Sequence, residues 1–371
     1  MKSLHSVALL GFFVLFLLSC GGSGVDSWEP SGAVQMYELR VVDSITVYDV
    51  PGSYEFLSVA DIGRAGVGEI LVLDDLADCI HVFSSTGQYM SRLGRSGTGR
   101  ARLSSPSHFE VLGNGDICVV DGDRWKRYYP DGEYNQSVEL TDVIPMRMAA
   151  LGDYELVGIL KTFSRQDDQL YVTKSISRWS EWAPDEETVC FLESGYPLGV
   201  NYNKRDILRI DLFPMVFAVG DNYVYIAPDP QIEPRVQIYN PAGQLITWID
   251  LPYERVLRPK EELLVEKLYV EQYFYESSRG SVDLKWRPSP YRPMIRSLGV
   301  DSFNNLWVQR GTELTPTFDV YDHSQNHIYT IVLPDREDAV HWRFDISDFG
   351  IIATPPRSDN DPVVYILERD V

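Results

Sequence analysis

The sequence predicts an all-β body built from recurring units, and three observations predict it. From residue 37 onward, short runs rich in Val, Ile, Leu, Tyr and Trp are broken at close spacing by Gly, Asp, Asn and Pro, the rhythm of strands and tight turns. One order of events recurs: a Gly-Asp or Asn turn, a strand, a second strand, a turn, a third strand. The two clearest copies, starting at Gly68 and Gly115, lie 47 positions apart, close to the length of one four-stranded propeller blade.

Each unit is legible in turn. Residues 37–48, with Val41, Ile45 and Val47, form a strand without a unit of its own. The first full unit places strands at 69–73, 79–83 and 89–93 around the turn Ser85-Thr86-Gly87-Gln88, and the second at 116–121, 125–129 and 134–140 around Pro130-Asp131-Gly132-Glu133. A divergent unit uses 154–160, 170–176 and 188–192. Two more follow at 223–251, with the turn Asn240-Pro241-Ala242-Gly243-Gln244, and at 306–333, with a turn at 323–326. The sixth has strands at 351–354 and 363–367 and then stops, one strand short.

A four-stranded sheet cannot cover both of its faces alone, so the copies are expected to stack around an axis and shield one another. The missing outer strand of the last unit and the orphan strand at 37–48 answer each other, and pairing them hides an open edge. The predicted fold is therefore a six-bladed β-propeller closed by the N-terminal strand. Two separate sandwiches are the competing arrangement, which accounts less directly for the repeated order. One helix is expected near 259–277: Pro259 suits a first helical position and Glu261 and Glu262 the positive end of the dipole. Val265, Leu268, Tyr269 and Tyr273 fall on one stripe, expected to face a core. A cap lining a pocket with Tyr269, Tyr273 or Tyr275 is the alternative.

Residues 80–139 resemble an NHL-type repeat in the Ile80-His81-Val82-Phe83 strand, the Leu93-Gly94 end, the Gly-rich loop 95–99, Leu103-Ser104-Ser105-Pro106 and Gly115-Asp116-Ile117-Cys118-Val119-Val120-Asp121. The body as a whole is similar to six-bladed propeller lipoproteins of bacteria. The motif is specific over about 68–140 and topological elsewhere. The resemblance implies the fold; function does not follow from fold alone.

The first twenty residues read as an address. Lys2, the apolar run 7–18 and Leu17-Leu18-Ser19-Cys20-Gly21 resemble a bacterial lipobox, with 1–19 a signal peptide and Cys20 the lipidated residue. The run is too short for a spanning helix, which needs about 20 apolar residues. Residues 20–35, opening on Gly21-Gly22-Ser23-Gly24, are expected to be a flexible leash, and 36–371 the folded body. Acylation of Cys20, palmitate included, would hold the chain on the membrane, with the body extracytoplasmic in the bacterial cell envelope, in the periplasm or at the cell surface.

The formal net charge of −21, from 33 Lys and Arg against 54 Asp and Glu, argues against nucleic acid as a partner and against broad adsorption to anionic lipid. Cys79, Cys118 and Cys190 show no metal-ligand spacing and are expected to be three buried thiols. No HExxH, GxSxG or phosphate-binding loop is present, and no cofactor is expected.

Candidate sites remain. Arg95, Arg100 and Arg102, with Arg92, make a basic loop able to grip an anion, although solvated or internally paired arginines are the ordinary outcome. Asp74 and Asp121, followed by Asp75 and Asp123, recur at strand ends and are candidate channel carboxylates for a hard cation. Their ordinary role is to close turns through backbone amides. His81 is expected in a core, and His323 and His327 flank a turn, where their spacing does not converge. Trp125, Trp179, Trp182 and Trp286 suit either a docking surface or blade packing. The function these point to is a binding or scaffolding module for a protein, peptide or glycan. The alternative is a metal-dependent lactone hydrolase or lyase of the kind found among related six-bladed rings.

Overall fold

The computed structural model describes residues 34–51, 56–66, 68–94, 99–140, 143–166, 169–180, 189–198, 210, 214–277, 285–334, 336–347, 350–356 and 361–370. Cys20, Arg95, Trp182 and the proposed signal and leash, but for residues 34 and 35, lie outside them. Strand is the dominant regular structure of the described chain, with one long helix. After β1 (Gln35–Thr46), four antiparallel four-stranded sheets follow in chain order: β2 (Asp61–Ala65), β3 (Glu69–Asp74), β4 (Cys79–Phe83) and β5 (Tyr89–Leu93); then β6 (Pro106–Val111), β7 (Ile117–Asp121), β8 (Arg124–Tyr128) and β9 (Tyr134–Glu139). The third comprises β10 (Val143–Leu151), β11 (Glu155–Gln166), β12 (Gln169–Ser180) and β13 (Val189–Leu198), and the fourth β14 (Val216–Val219), β15 (Val224–Ala227), β16 (Arg235–Tyr239) and β17 (Leu245–Asp250). A helix, α1 (Lys260–Ser277), precedes β18 (Ile295–Val300), β19 (Leu306–Arg310), β20 (Thr317–Tyr321) and β21 (His327–Val332), and the chain ends on β22 (Arg343–Ser347), β23 (Gly350–Thr354) and β24 (Val363–Arg369). These last seven strands and β1 make one eight-stranded sheet in the order β18-β19-β20-β21-β1-β24-β23-β22.

The N-terminal strand pairs with the C-terminal one: β1 runs antiparallel to β24 from Leu39↔Arg369 to Thr46↔Val363. Its first residues do something the sequence did not suggest, pairing parallel with β21 from Gln35↔Tyr329 to Glu38↔Val332. One strand thus bridges two sets of strands, and an eight-stranded sheet results.

A local device repeats. Between the third and fourth strands, Gly87, Gly132 and Gly243 take φ of 80°, 84° and 82°, and Gln325 takes 68° at the same place in a later copy. Each donates its amide to the carbonyl three residues back, on Ser84, Tyr129, Asn240 and Asp322, at 2.8–3.0 Å. Each is followed by a register shift, at Val82/Phe83, Arg127/Tyr128, Ile238/Tyr239 and Val320/Tyr321. This is a type I turn closed by a left-handed residue and a bulge, a conformation glycine adopts without cost.

Five large cores lie between sheets and a sixth between the two halves of the eight-stranded sheet. Ile70 and Val72 of β3 pack on Ile45, Ile352 and Val364, while Leu71 and Leu73 of the same strand pack on Ile117 and Val119 of β7. Cys118, Val120 and Trp125 meet Leu156 and Trp179, and Val157 and Ile176 meet Phe217 and Val224. Val236 and Ile238 meet Leu306 and Val308, and Phe318 and Val320 meet Leu39, Ala353 and Leu367. A strand buried on both faces needs apolar residues at consecutive positions, which is why the β3 and β7 segments read as continuous runs. The first strands follow the same circuit, with β2 beside β6, β6 beside β10, β10 beside β14, β14 beside β18, β18 beside β22 and β22 beside β2. This face-to-face succession around a common centre is a β-propeller arrangement.

Two expectations are corrected. The stripe of α1 does not face a core: Val265, Leu268 and Tyr269 are 67%, 56% and 46% exposed. The helix is held by charge, Glu262 bonding Arg258 at 2.8 Å and Arg292 at 3.0 Å, and Glu266 bonding Arg258 and the Trp286 indole at 2.5 and 2.8 Å. Of the three thiols, Cys79 and Cys118 are buried and Cys190 is exposed, because β13 is an outer edge strand whose alternate residues meet solvent. Among the described residues, no helix is long and apolar enough to cross a membrane.

Candidate functional site

The first strands of the circuit, β2, β6, β10, β14, β18 and β22, surround a cavity of about 720 Å³, within the range of small-molecule sites. Its wall is divided by chemistry. Arg64 of β2, Glu110 of β6, Arg147 of β10 and Arg343 and Asp345 of β22 supply charge, whereas β14 and β18 supply Phe217, Ala218, Val219, Leu298, Gly299 and Val300. Asp221 stands beyond β14 at the rim, tied to the Asn304 side-chain amide at 2.6 Å.

These strands carry charge because each lies at the inner edge of its sheet, where a long side chain reaches the axis while its neighbours pack between sheets. Asp61 begins β2 and is buried. It accepts from the Phe109 amide at 3.2 Å, lies 3.4 Å from His108 Nδ1 and is paired with Arg343. Burial alone pushes its carboxyl up, but Arg343, His108 and the Phe109 amide outweigh that and hold it below the ordinary carboxylate value. Glu110 lacks such a partner: burial, with Asp345 and Asp61 nearby, pushes it up to about 8. Burial also raises Asp345 to about 6, against the pull of Arg343 and Arg64, and its Oδ2 is buried with no hydrogen-bond partner.

The arginines are likewise unequal. Arg64 donates Nη1 to the Gly68 carbonyl at 3.1 Å, but its Nε is buried without a partner. Arg147 makes no ion pair among the described residues, and its guanidinium lies 5.6 Å from the centre of the Phe217 ring. Burial and the neighbouring Arg343 push its pKa down to about 10. The cavity therefore carries guanidinium donors and carboxyl oxygens whose hydrogen-bonding capacity is only partly used, which is costly unless something else satisfies it.

The residues singled out from the sequence lie elsewhere. Asp74 ends β3 outside the cavity lining, accepting from the amides of Leu57 at 2.6 Å, Leu76 at 3.1 Å and Ala77 at 2.9 Å and from the Ser58 hydroxyl at 2.8 Å. Asp121 ends β7 and accepts from the amides of Ser104 at 2.8 Å and Ser105 at 2.7 Å, with Lys126 Nζ at 2.7 Å. Each carboxylate straps the segment entering its sheet to a strand end, the turn-closing role open to such residues; the carboxyls lining the cavity are Glu110, Asp345 and Asp221 instead. Arg100 and Arg102 are exposed. Their loop is pinned through its backbone, Tyr128 donating its hydroxyl to the Ala101 carbonyl at 2.9 Å and Lys126 bonding the Arg102 carbonyl.

Trp125 and Trp179 are buried against each other, edge to face at 6.4 Å. His81 is fully buried, 3.6 Å from Asp74 and 3.5 Å from Cys79 Sγ. A channel metal needs several converging ligands. Among the described residues no group of three or more His, Cys, Asp or Glu side chains forms one. At the cavity, Arg64, Arg147 and Arg343 stand between the carboxyls, and their charge opposes a cation.

No protein-family model and no curated protein matches this sequence. Solved structures do resemble it. A member of the DUF4221 family from Bacteroides vulgatus shares 10% identity over 91% of this chain and 99% of its own, with a TM-score of 0.49. A Bacteroides fragilis protein described as exported shares 13% over 91% and 99%, at 0.46. Virginiamycin B lyase from Staphylococcus aureus shares 10% over 90% and 88%, at 0.39.

The sequence reading passed over Arg64, Glu110, Arg147, Arg343 and Asp345. A signal was present: each is a charge flanked by uncharged residues on a strand that precedes a unit's opening turn, as in Phe109-Glu110-Val111 and Met146-Arg147-Met148. Read singly, such a charge looks like the exposed side of a half-buried strand. Only the closed circuit brings them to one place.

Proposed function

We propose that this chain is a lipid-anchored binding protein of the bacterial cell envelope, held by Cys20, whose extracytoplasmic body is a six-bladed propeller that takes a small ligand in its central cavity. The six-blade count is supported by a succession of six cores, five between sheets and one between the halves of the eight-stranded sheet. The eight-stranded sheet is then two blades, β18 to β21 and β22-β23-β24-β1, joined where the start of β1 reaches across. A ring of this kind places its inner strands around an axial site, and a cavity at the axis is the default binding position.

One observation carries the binding reading: the inner strands enclose a cavity in which charged side chains retain unmet hydrogen-bonding capacity. The test is to purify the full chain from membranes in detergent and screen it by thermal shift against small metabolites of both charges. A reproducible rise in melting temperature, abolished by narrowing the cavity with Ala218→Trp, supports the reading. No rise with any compound overturns it and leaves protein scaffolding through the outer loops.

A further inference from the structure

We infer that the central cavity is a site for a small organic carboxylate, its anionic group bound by Arg147 with Glu110 beside it and its apolar part lying against β14 and β18. The inference rests on the binding reading above and names the class of ligand.

The charges lining the cavity are the guanidiniums of Arg64, Arg147 and Arg343, the carboxyls of Glu110 and Asp345 and, at the rim, Asp221; Asp61 is buried behind the wall against Arg343 and His108. Asp61 and Arg343 are paired directly. Asp345 lies in the field of Arg343 and Arg64 and, more weakly, of Arg147. Arg147 and Glu110 remain, and they are not an ion pair. With Glu110 in its neutral form below about pH 8, Arg64, Arg147 and Arg343 are balanced by Asp61, Asp345 and the rim Asp221. Asp61 is taken up by Arg343 and Asp221 is tied to Asn304, which leaves Arg147 without an ion pair of its own in a protein whose net charge is −21.

Geometry fixes the rest of the ligand. Arg147 sits where the polar half of the wall meets the apolar half, since its guanidinium lies over Phe217 of the neighbouring β14. A planar guanidinium offers parallel donors that match the two oxygens of a carboxylate. A protonated carboxyl at Glu110 adds an O–H donor. Beyond it lie Phe217, Leu298, Gly299 and Val300, without a charged side chain. An anion with no apolar body, such as inorganic phosphate, would leave that half of the cavity wet and gain nothing from it.

The experiment uses three probes of one shape and different charge, benzoate, benzamide and benzamidine, titrated calorimetrically at millimolar concentration into the full chain in detergent. Benzoate is expected to bind more than about tenfold more tightly than benzamide, and benzamidine least of all. Arg147→Met is expected to weaken benzoate about 30-fold, as loss of hydrogen bonds to a charged group does, and to leave benzamide nearly unchanged. Arg147→Lys, which keeps the charge, restores part of the benzoate affinity. Wild type loses benzoate affinity above about pH 8, where Glu110 ionises, and Glu110→Gln, locked neutral, keeps it. Binding of benzamide or benzamidine as tight as benzoate, or benzoate binding indifferent to Arg147→Met in a variant that melts normally, overturns the carboxylate assignment and leaves the cavity as a site for another class. Absence of binding by all three overturns the carboxylate assignment, while the cavity reading stands or falls separately on the thermal-shift screen.

Discussion

Replacing Ile45 by alanine tests whether the N-terminal strand closes the ring as part of one cooperative body. Ile45 is fully buried on β1, packed against Ile70, Val72, Phe83, Ile352, Val364 and Ile366, residues contributed by β3, β4, β23 and β24. The substitution removes three carbons, worth about 2.4 kcal/mol at about 0.8 kcal/mol each. The unfilled space adds to that, because a core fixed by strands on both sides relaxes only in part, and the expected loss is about 3–4 kcal/mol, inside the usual range for Ile→Ala. Val42→Ala on the same strand removes a side chain that is 41% exposed and is expected to cost under about 0.5 kcal/mol. Urea midpoints followed by tryptophan fluorescence on the full chain give both values. Equal losses from the two substitutions, or a loss under about 1 kcal/mol for Ile45→Ala, would refute the claim that β1 completes a shared core.

Three further outcomes are expected. Glu110 is held protonated up to about 8 by burial against an ordinary value of 4.5; the folded state therefore binds this proton more tightly than the unfolded chain, and stability falls as pH rises across that interval. Glu110→Gln should flatten this slope and be the more stable form above about pH 8, by on the order of 1–3 kcal/mol, and an unchanged slope in pH-dependent urea midpoints would show that Glu110 is not the group responsible. Asp319, almost fully buried, bonds Arg310 at 2.8 and 2.9 Å, the Tyr253 hydroxyl at 2.6 Å and Thr330 at 2.7 Å; Asp319→Asn should cost about 3 kcal/mol by stranding the guanidinium, and a midpoint within error of wild type would remove this network from the account of stability. Cys20→Ser should move the protein from the detergent phase to the aqueous phase in a partition assay, and unchanged membrane retention would show that residues 1–20 are not a lipoprotein address.

The sequence carried the strand order, the helix at Lys260–Ser277 and the pairing of the N-terminal strand with the C-terminal one, because each depends on local signals or on a simple mismatch in strand number. The turn glycines 87, 132 and 243 were visible for the same reason: a left-handed residue leaves a residue-type signature. What depends on the third dimension did not show. The stripe of Val265, Leu268 and Tyr269 looked like a buried face, and the structure turns it outward because Arg258 and Arg292 hold the helix through Glu262 and Glu266. Asp74 and Asp121 looked like a converging set because they recur, but recurrence at strand ends reflects a repeated strap. The cavity charges follow no fixed type, with Arg on β2 and β10, Glu on β6, Arg and Asp on β22 and uncharged lining on β14 and β18. A functional asymmetry within a repeat is invisible to a search for repetition.

That asymmetry bears on why Arg147 is present. A buried guanidinium without a carboxylate partner lowers stability, and an apolar residue of similar volume at a cavity wall beside Phe217, Met148 and Ala149 would usually raise it. If Arg147 served the fold, Arg147→Met would destabilise the protein; if it serves a ligand, the substitution should stabilise the empty protein by about 1 kcal/mol or more while removing benzoate binding, the opposition expected where a site is kept at the expense of the body. The two effects are read on one sample, by urea midpoint and by calorimetry. A variant less stable than wild type would mean that Arg147 is a packing residue whose charge reaches solvent through the cavity, and the opposition between stability and binding would not hold at this position.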